Sequence, residues 1–300
     1  MSDPGPTPHI SFIIPVFNGL SFTKMCLDSL RRTVDLSRCE VIVADDQSTD
    51  GTREYLAALP KPPFRILAND HRRGYAASNN AAAAVARGEL LCLLNNDVVL
   101  SAGWLEPMVC GLDRFSDAGF IGNVQRNPRT GRYDHMGFVF DDDGVPWLFG
   151  KHFPFRPYGG YTEWRAVSAA CCLIKKQLFL TMGGFDEQYI NGSEDLDLCL
   201  RIGQAGRRHY VANESIVTHY VSSSQDRHAF NAANEQRLLA RWQAEIQQSL
   251  TPRDRILNAA NYVLRFATRP WRYNGQRLWR ATLSLVSLGR FSHGTARAGY

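Results

Sequence analysis

Between Leu90 and Leu100 the chain reads LLCLLNNDVVL, and Asn95, Asn96 and Asp97 interrupt an otherwise apolar run. Two amides and a carboxylate offer oxygen acceptors and one negative charge, a donor set that suits a hard divalent cation or a hydroxylated ligand. Comparable groups close three other apolar runs. They are Pro15, Val16 and Asn18 after ISFIIPVFN, Asp45 and Asp46 after CEVIVADD, and Asn69 and Asp70 after FRILAND. Acids gathered on one rim repel each other unless a cation or a hydroxyl-rich ligand lies among them. Later in the chain, Glu194 and Asp195 open the segment SEDLDLCLRIGQAG. A helix start holds such acids ionised, and a carboxylate placed there can take a proton from an attacking hydroxyl.

These groups need a frame. The first half alternates apolar runs with segments of helical spacing, such as Phe22, Cys26 and Leu30 in SFTKMCLDSLRRT and the Ala-rich GYAASNNAAAAVARG. Uninterrupted apolar strands separated by helices predict a parallel sheet covered on both faces, with ligands beyond the carboxyl ends of its strands. Ser21, Asp50 and Ser193 are expected as helix caps, and Gly88 and Gly206 as helix exits. Residues 123–165 are turn-rich and aromatic and predict an irregular insert with short strands. RAVSAACCLIKK returns to a strand, and RHYVANESIVTHY predicts a last strand pair.

Taken in order, PVFN, DDQSTDGT, RRGYAASNN, NND, GGFDE and EDLDLCLR with a later VTHY resemble the landmarks of glycosyltransferase family 2. The resemblance covers roughly residues 9–225. It implies an α/β GT-A fold, with a Rossmann-like, mostly parallel central sheet flanked by helices, and transfer of sugar from a nucleotide diphosphate. On that pattern Pro15, Val16, Asn18, Asp45, Asp46, Gly74, Asn79, Asn95, Asn96 and Asp97 bind the nucleotide-sugar. NND stands in the place of the family's Asp-x-Asp motif, with Asn95 replacing the first acid. Asp97 and His219 then bind a divalent cation, Mn²⁺ or Mg²⁺; imidazole suits Mn²⁺ better. Asp195 is the base of an inverting displacement, and Glu194 contacts the acceptor or orients the loop. The resemblance divides the chain into a donor half (9–122), an acceptor half (123–225) and a C-terminal helical extension (226–300) after a flexible lead (1–8). UDP or dTDP sugars are favoured, with a saccharide or lipid-linked hydroxyl as acceptor. Phe185, Asp186, Trp147 and Trp164 are candidates for the acceptor side, the two tryptophans equally for a local core. The other histidines, His135, His152, His209 and His228, read as structural.

Composition narrows the alternatives. The 300 residues carry a net charge of +5, but residues 251–300 hold nine Arg against one Asp, so the preceding body is mildly acidic. Apolar residues recur at helical spacing in this tail, from Ile256 to Ala267 and from Leu278 to Leu288. Such basic helices with tryptophan lie on anionic membranes, or pack on the catalytic domain or a second subunit as in a homodimer. Nucleic acid is not expected as a partner, since no recognition signature accompanies the arginines. The seven scattered cysteines lack zinc spacing and read as reduced and structural, in a cytoplasmic protein that lies at most against the inner membrane face. No signal-like or membrane-spanning run is apparent. Two rival readings are a sugar-phosphate nucleotidyltransferase, for which PVFNGLSFTK supplies no convincing phosphate loop, and a nucleotide-sugar-binding protein without catalysis.

Overall fold

The computed structural model describes residues 9–220 and 230–287. The expected lead over 1–8, His228 and Leu288 lie outside these residues. The first part of the chain follows the expected alternation: β1 (Ile10–Val16), α1 (Leu20–Thr33), β2 (Cys39–Asp45), α2 (Thr52–Ala57), β3 (Phe64–Ala68), α3 (Gly74–Val85) and β4 (Leu90–Leu94). β4, β1, β2 and β3 lie side by side in that order, all parallel. β1, β2 and β4 are apolar runs buried on both faces because both faces are covered, whereas the edge strand β3 exposes Arg65 and Ala68. Phe12, Ile14, Val41 and Val43 pack with Cys26, Leu27 and Leu30 of α1. Ile13, Ile42, Leu91 and Leu93 pack on the opposite side with Ala76, Ala82 and Ala83 of α3.

The rest of the sheet changes direction. After β5 (Val98–Leu100) and α4 (Glu106–Arg114) come β6 (Ala118–Arg126), β7 (Tyr133–His135), β8 (Phe138–Phe140), β9 (Pro146–Leu148), β10 (Tyr161–Trp164) and β11 (Cys171–Lys175). β11 is antiparallel to β4 and joins the parallel set to β6. α5 (Lys176–Thr181), α6 (Glu194–Gln204) and β12 (Arg208–His219) follow. The expected strand pair is one strand: β12 runs parallel to β6 with irregularities between Arg208 and Tyr210 and between Ala212 and Ile216. Its far end pairs antiparallel with β5, setting His219 opposite Val98. β8 and β9 form a separate hairpin.

Local details depart from the expected caps. Ser21 lies inside α1, whose N-cap position is Gly19. Asp50 instead bridges two helix starts, accepting from Leu20 N (3.1 Å) and Thr52 N (3.2 Å). Ser193 holds the N-cap position of α6 in a left-handed conformation without a side-chain cap bond. Gly88 lies beyond the end of α3 and serves packing: a Cβ there would stand 2.6 Å from Ser11 N and Oγ.

The tail forms α7 (Asn231–Ser249), α8 (Pro252–Thr268) and α9 (Gly275–Val286). α7 buries Leu238, Trp242 and Ile246 in the core shared with α6. Arg165 pairs with Asp254 of α8 (2.8 Å), and Arg255 with Asp142 (3.6 Å). Among the described residues, no helix is long and apolar enough to cross a membrane. The seven cysteines are free thiols, five of them buried.

Candidate active site

The carboxyl ends of the parallel strands and the end of β12 meet at one edge of the sheet. Asp97 follows β4, and its carbonyl accepts from Tyr220 N (3.0 Å), which ties down the end of β12. Asp97 Oδ1 lies 3.1 Å from His219 Nε2, and both residues are almost fully buried. Nε2 nevertheless makes no hydrogen bond. The other ring nitrogen, Nδ1, donates to Gln125 Oε1 of β6 (2.8 Å). That bond fixes the tautomer and leaves a lone pair on Nε2, beside a carboxylate oxygen. Asn95 Oδ1 is a further buried acceptor with no partner. Hard oxygen donors with one imidazole fit Mn²⁺, and less well Mg²⁺. No group of three His, Cys, Asp or Glu among the described residues could hold a metal alone. Two protein ligands with phosphate oxygens of a bound nucleotide would complete such a shell.

Asp195 belongs to the same edge. Its Oδ2 accepts from Ala169 N (3.1 Å), while the next residue, Ala170, accepts through its carbonyl from Asn95 N (2.8 Å). The loop before β11 therefore joins Asp195 to the segment that carries Asp97. Of the acids at the start of α6, Glu194 and Asp197 are buried and Asp195 is half-buried. Glu194 accepts from Gly192 N (2.6 Å) and holds the loop before the helix. Asp197 faces inward, accepting from Arg201 Nε and Trp242 Nε1 (both 2.8 Å). Burial, reinforced by the charges of Glu194 and Asp195, pushes the Tyr75 phenol of α3 well above its ordinary pKa.

The acids at the end of β2 tie neighbouring segments to that strand. Asp45 accepts from Ser48 N (3.0 Å) and Arg53 Nε (2.9 Å). Asp46 accepts from Asn69 Nδ2 (2.8 Å), Arg73 N (2.7 Å) and Gly74 N (2.9 Å), joining β3 and the start of α3 to β2. Gly74 adopts φ +84°, which a side chain would strain. Pro15 and Val16 are buried in β1. Asn18 accepts from Thr49 N (2.7 Å), and Asn96 Nδ2 donates to Thr23 Oγ1 (3.0 Å). Asn79 is fully buried in α3 and donates to Tyr75 O of its own helix (2.9 Å).

Other residues singled out in the sequence take the following places. His135, expected to be structural, stands near His219; burial first, and His219 second, lower its pKa to about 3. Trp164 is core: it is 5% exposed, and Gly137 passes against its ring. Trp147 donates to Asp141 Oδ2 (3.0 Å) and carries Arg265 and Arg277 on its ring. Phe185 is buried against Tyr75 and Phe179. Gln125 and Tyr75 carried no sequence signal; each acts across 94 residues, Tyr75 by donating to Ala169 O (3.1 Å).

The model of the family described as glycosyl transferase family 2 matches residues 11–181. The chain belongs to glycosyltransferase family 2. The O-antigen biosynthesis protein RfbC of Myxococcus xanthus is 31% identical over 73% of this chain and 18% of its own length. An uncharacterized protein, y4gI, of Sinorhizobium fredii is 31% identical over 25% of its length. The chain thus spans a quarter or less of these longer relatives. The N-acetylglucosaminyl-diphospho-decaprenol L-rhamnosyltransferase of Mycobacterium tuberculosis is 28% identical over 61% of this chain and 67% of its own. Among solved structures, GalNAc-T7 with UDP, GalNAc and Mn²⁺ superposes with a TM-score of 0.60 at 16% identity, covering 72% of this chain and 44% of its own. The Pyrobaculum calidifontis mannosyltransferase with GDP-Man and Mn²⁺ gives 0.57 at 18%, covering 95% and 87%. At such identities the likeness is one of fold, and the fold is GT-A.

Proposed function

We propose that this glycosyltransferase moves a sugar from a nucleotide-diphospho-sugar, UDP or dTDP linked, to a hydroxyl of a saccharide or lipid-linked acceptor, with inversion and with dependence on a divalent cation. The observation that carries the reading is the shared loop: Ala169 and Ala170 bind Asp195 and Asn95, placing one half-buried carboxylate at the edge that holds Asp97 and His219. Residues 9–122 form the donor half and 123–225 the acceptor half. Asp45, Asp46, Gly74 and Asn79 shape the nucleoside pocket beside Pro15, Val16 and Asn18, and Asn95 and Asn96 line its lip.

Asp195 takes the proton of the acceptor hydroxyl as its oxygen attacks the anomeric carbon. The bond from that carbon to the diphosphate breaks, and its electron pair leaves with the nucleotide. Bonds from Ala169 N and Leu196 N keep the carboxylate oriented. Glu194 holds the loop that faces the acceptor. Asp97 and His219 would hold a divalent cation, which when bound neutralises charge on the leaving diphosphate. The M. xanthus relative's name and the mycobacterial relative's lipid-diphosphate acceptor support a place in cell-envelope polysaccharide synthesis.

A thermal-shift panel of UDP, dTDP and GDP sugars, each with and without Mn²⁺, tests the reading. Stabilisation by one nucleotide class, larger with Mn²⁺, is expected. Indifference to every nucleotide sugar contradicts it.

A further inference from the structure

One set of C-terminal arginines faces the protein: Arg253 donates to Glu163 O (2.9 Å), Arg265 to Leu148 O (2.6 Å), and Arg277 pairs with Asp141 (3.3 Å). Arg272, by contrast, is exposed. Near it stand Trp271 (77% exposed), Trp279 (65%), Leu283 (40%) and Val286 (79%). In α9, Trp279, Leu283 and Val286 are spaced i, i+4 and i+7 and form one stripe. Ala281 and Ser284 are buried on the opposite side, where α9 meets α8. The helix is therefore already docked, and the open stripe is not needed to hold it in place.

We infer that this stripe, with Trp271 and the neighbouring Arg272, is a docking face for an anionic lipid bilayer surface. Charge selects this occupant. No Asp or Glu occurs after Asp254, so a second copy meeting this face through two-fold symmetry would set arginines against arginines with no acid on the segment to offset them. Anionic headgroups supply the missing charge. Tryptophans belong at the headgroup level, and the short apolar stripe reaches the acyl boundary without spanning it. The inner side of α9 holds Asp141 through Arg277, so a membrane-docked α9 carries residues of the proposed acceptor half with it. The inference uses residues away from the candidate active site and stands whether or not the donor assignment does.

The test is co-sedimentation of the full chain with phosphatidylcholine vesicles, with and without phosphatidylglycerol. The full chain should sediment with the anionic vesicles, hardly with the neutral ones, and less as salt rises. Trp279→Ser combined with Leu283→Ser should lower the partition at least ~10-fold with thermal stability unchanged, because both side chains are exposed. As a second readout, the fluorescence blue shift on vesicle binding should fall in Trp271→Phe and Trp279→Phe. Equal binding to both lipids, no binding to either, or binding unaffected by the double variant overturns the inference. A dimer that the double variant dissolves also overturns it and assigns the face to a second copy.

Discussion

Asp97 Oδ1 and His219 Nε2 stand 3.1 Å apart at the ends of two distant strands, and Nε2 forms no hydrogen bond there. Pairing of β5 with β12 fixes the contact, because His219 is registered against Val98, the residue after Asp97. The two groups present an oxygen and a nitrogen to a common point. His219→Ala should therefore abolish the extra stabilisation that Mn²⁺ adds to a nucleotide complex, leaving the nucleotide-only shift in place. Calorimetry with Mn²⁺ and UDP checks this; an affinity reduced by at least ~100-fold is expected, more than outer partners usually supply.

Gln125 is a positioning residue in the same set. Its Oε1 accepts the His219 Nδ1 proton, so Gln125→Leu should release the tautomer and weaken Mn²⁺ binding about 10- to 100-fold. Gln125→Glu keeps an acceptor and should restore much of the affinity. Ring ¹⁵N shifts of His219 report the tautomer directly, without metal or turnover.

Two acids, two residues apart on α6, should separate chemistry from stability. Asp197 is fully buried and receives Arg201, Arg241 and Trp242. Asp197→Ala strands these donors, and a loss of about 3 kcal/mol in denaturant unfolding is expected. Asp195→Asn keeps the shape but only one of the two backbone bonds, and a loss of about 1 kcal/mol, well below that of Asp197→Ala, is expected.

The pH dependence of stability has a defined sign. His209 is buried, accepts from Phe120 N at Nδ1 (3.0 Å) and donates from Nε2 to Cys199 O (2.9 Å). Burial lowers its pKa from 6.5 to about 4. The unfolded chain thus binds a proton that the folded protein refuses. His209's contribution is intact above pH 6.5 and declines as pH falls toward 4, by up to about 3 kcal/mol. Its ring signals in NMR should not titrate above pH 5, and urea midpoints should drop over the same interval.

The parallel half of the fold was legible because each strand is an apolar run and each helix repeats at its own spacing, which are local patterns. Asp97, Asp195 and His219 stood out because they fall in recognisable short motifs, and the fold brings Asp97 and His219 together. Gln125, Tyr75 and the proximity of His135 to His219 were not, since pairing across the sheet leaves no periodic trace. Ser21 and Ser193 misled for a related reason: Gly19 and Ser193 enter their helices in left-handed conformations, and at α1 a bond from Leu20 N to Asp50 replaces the local cap. The tail's charge was visible from composition. Which arginines face the protein depends on acids such as Asp141 and Asp142, more than a hundred residues earlier.

The most direct measurement of the central claim compares wild type with Asp195→Asn in nucleotide-sugar binding and in single-turnover transfer, using the donor found by thermal shift. The account predicts binding within a few-fold of wild type and transfer reduced by about 10²–10⁴, the usual share of a positioned base. Transfer that survives at the wild-type rate in Asp195→Asn would contradict it.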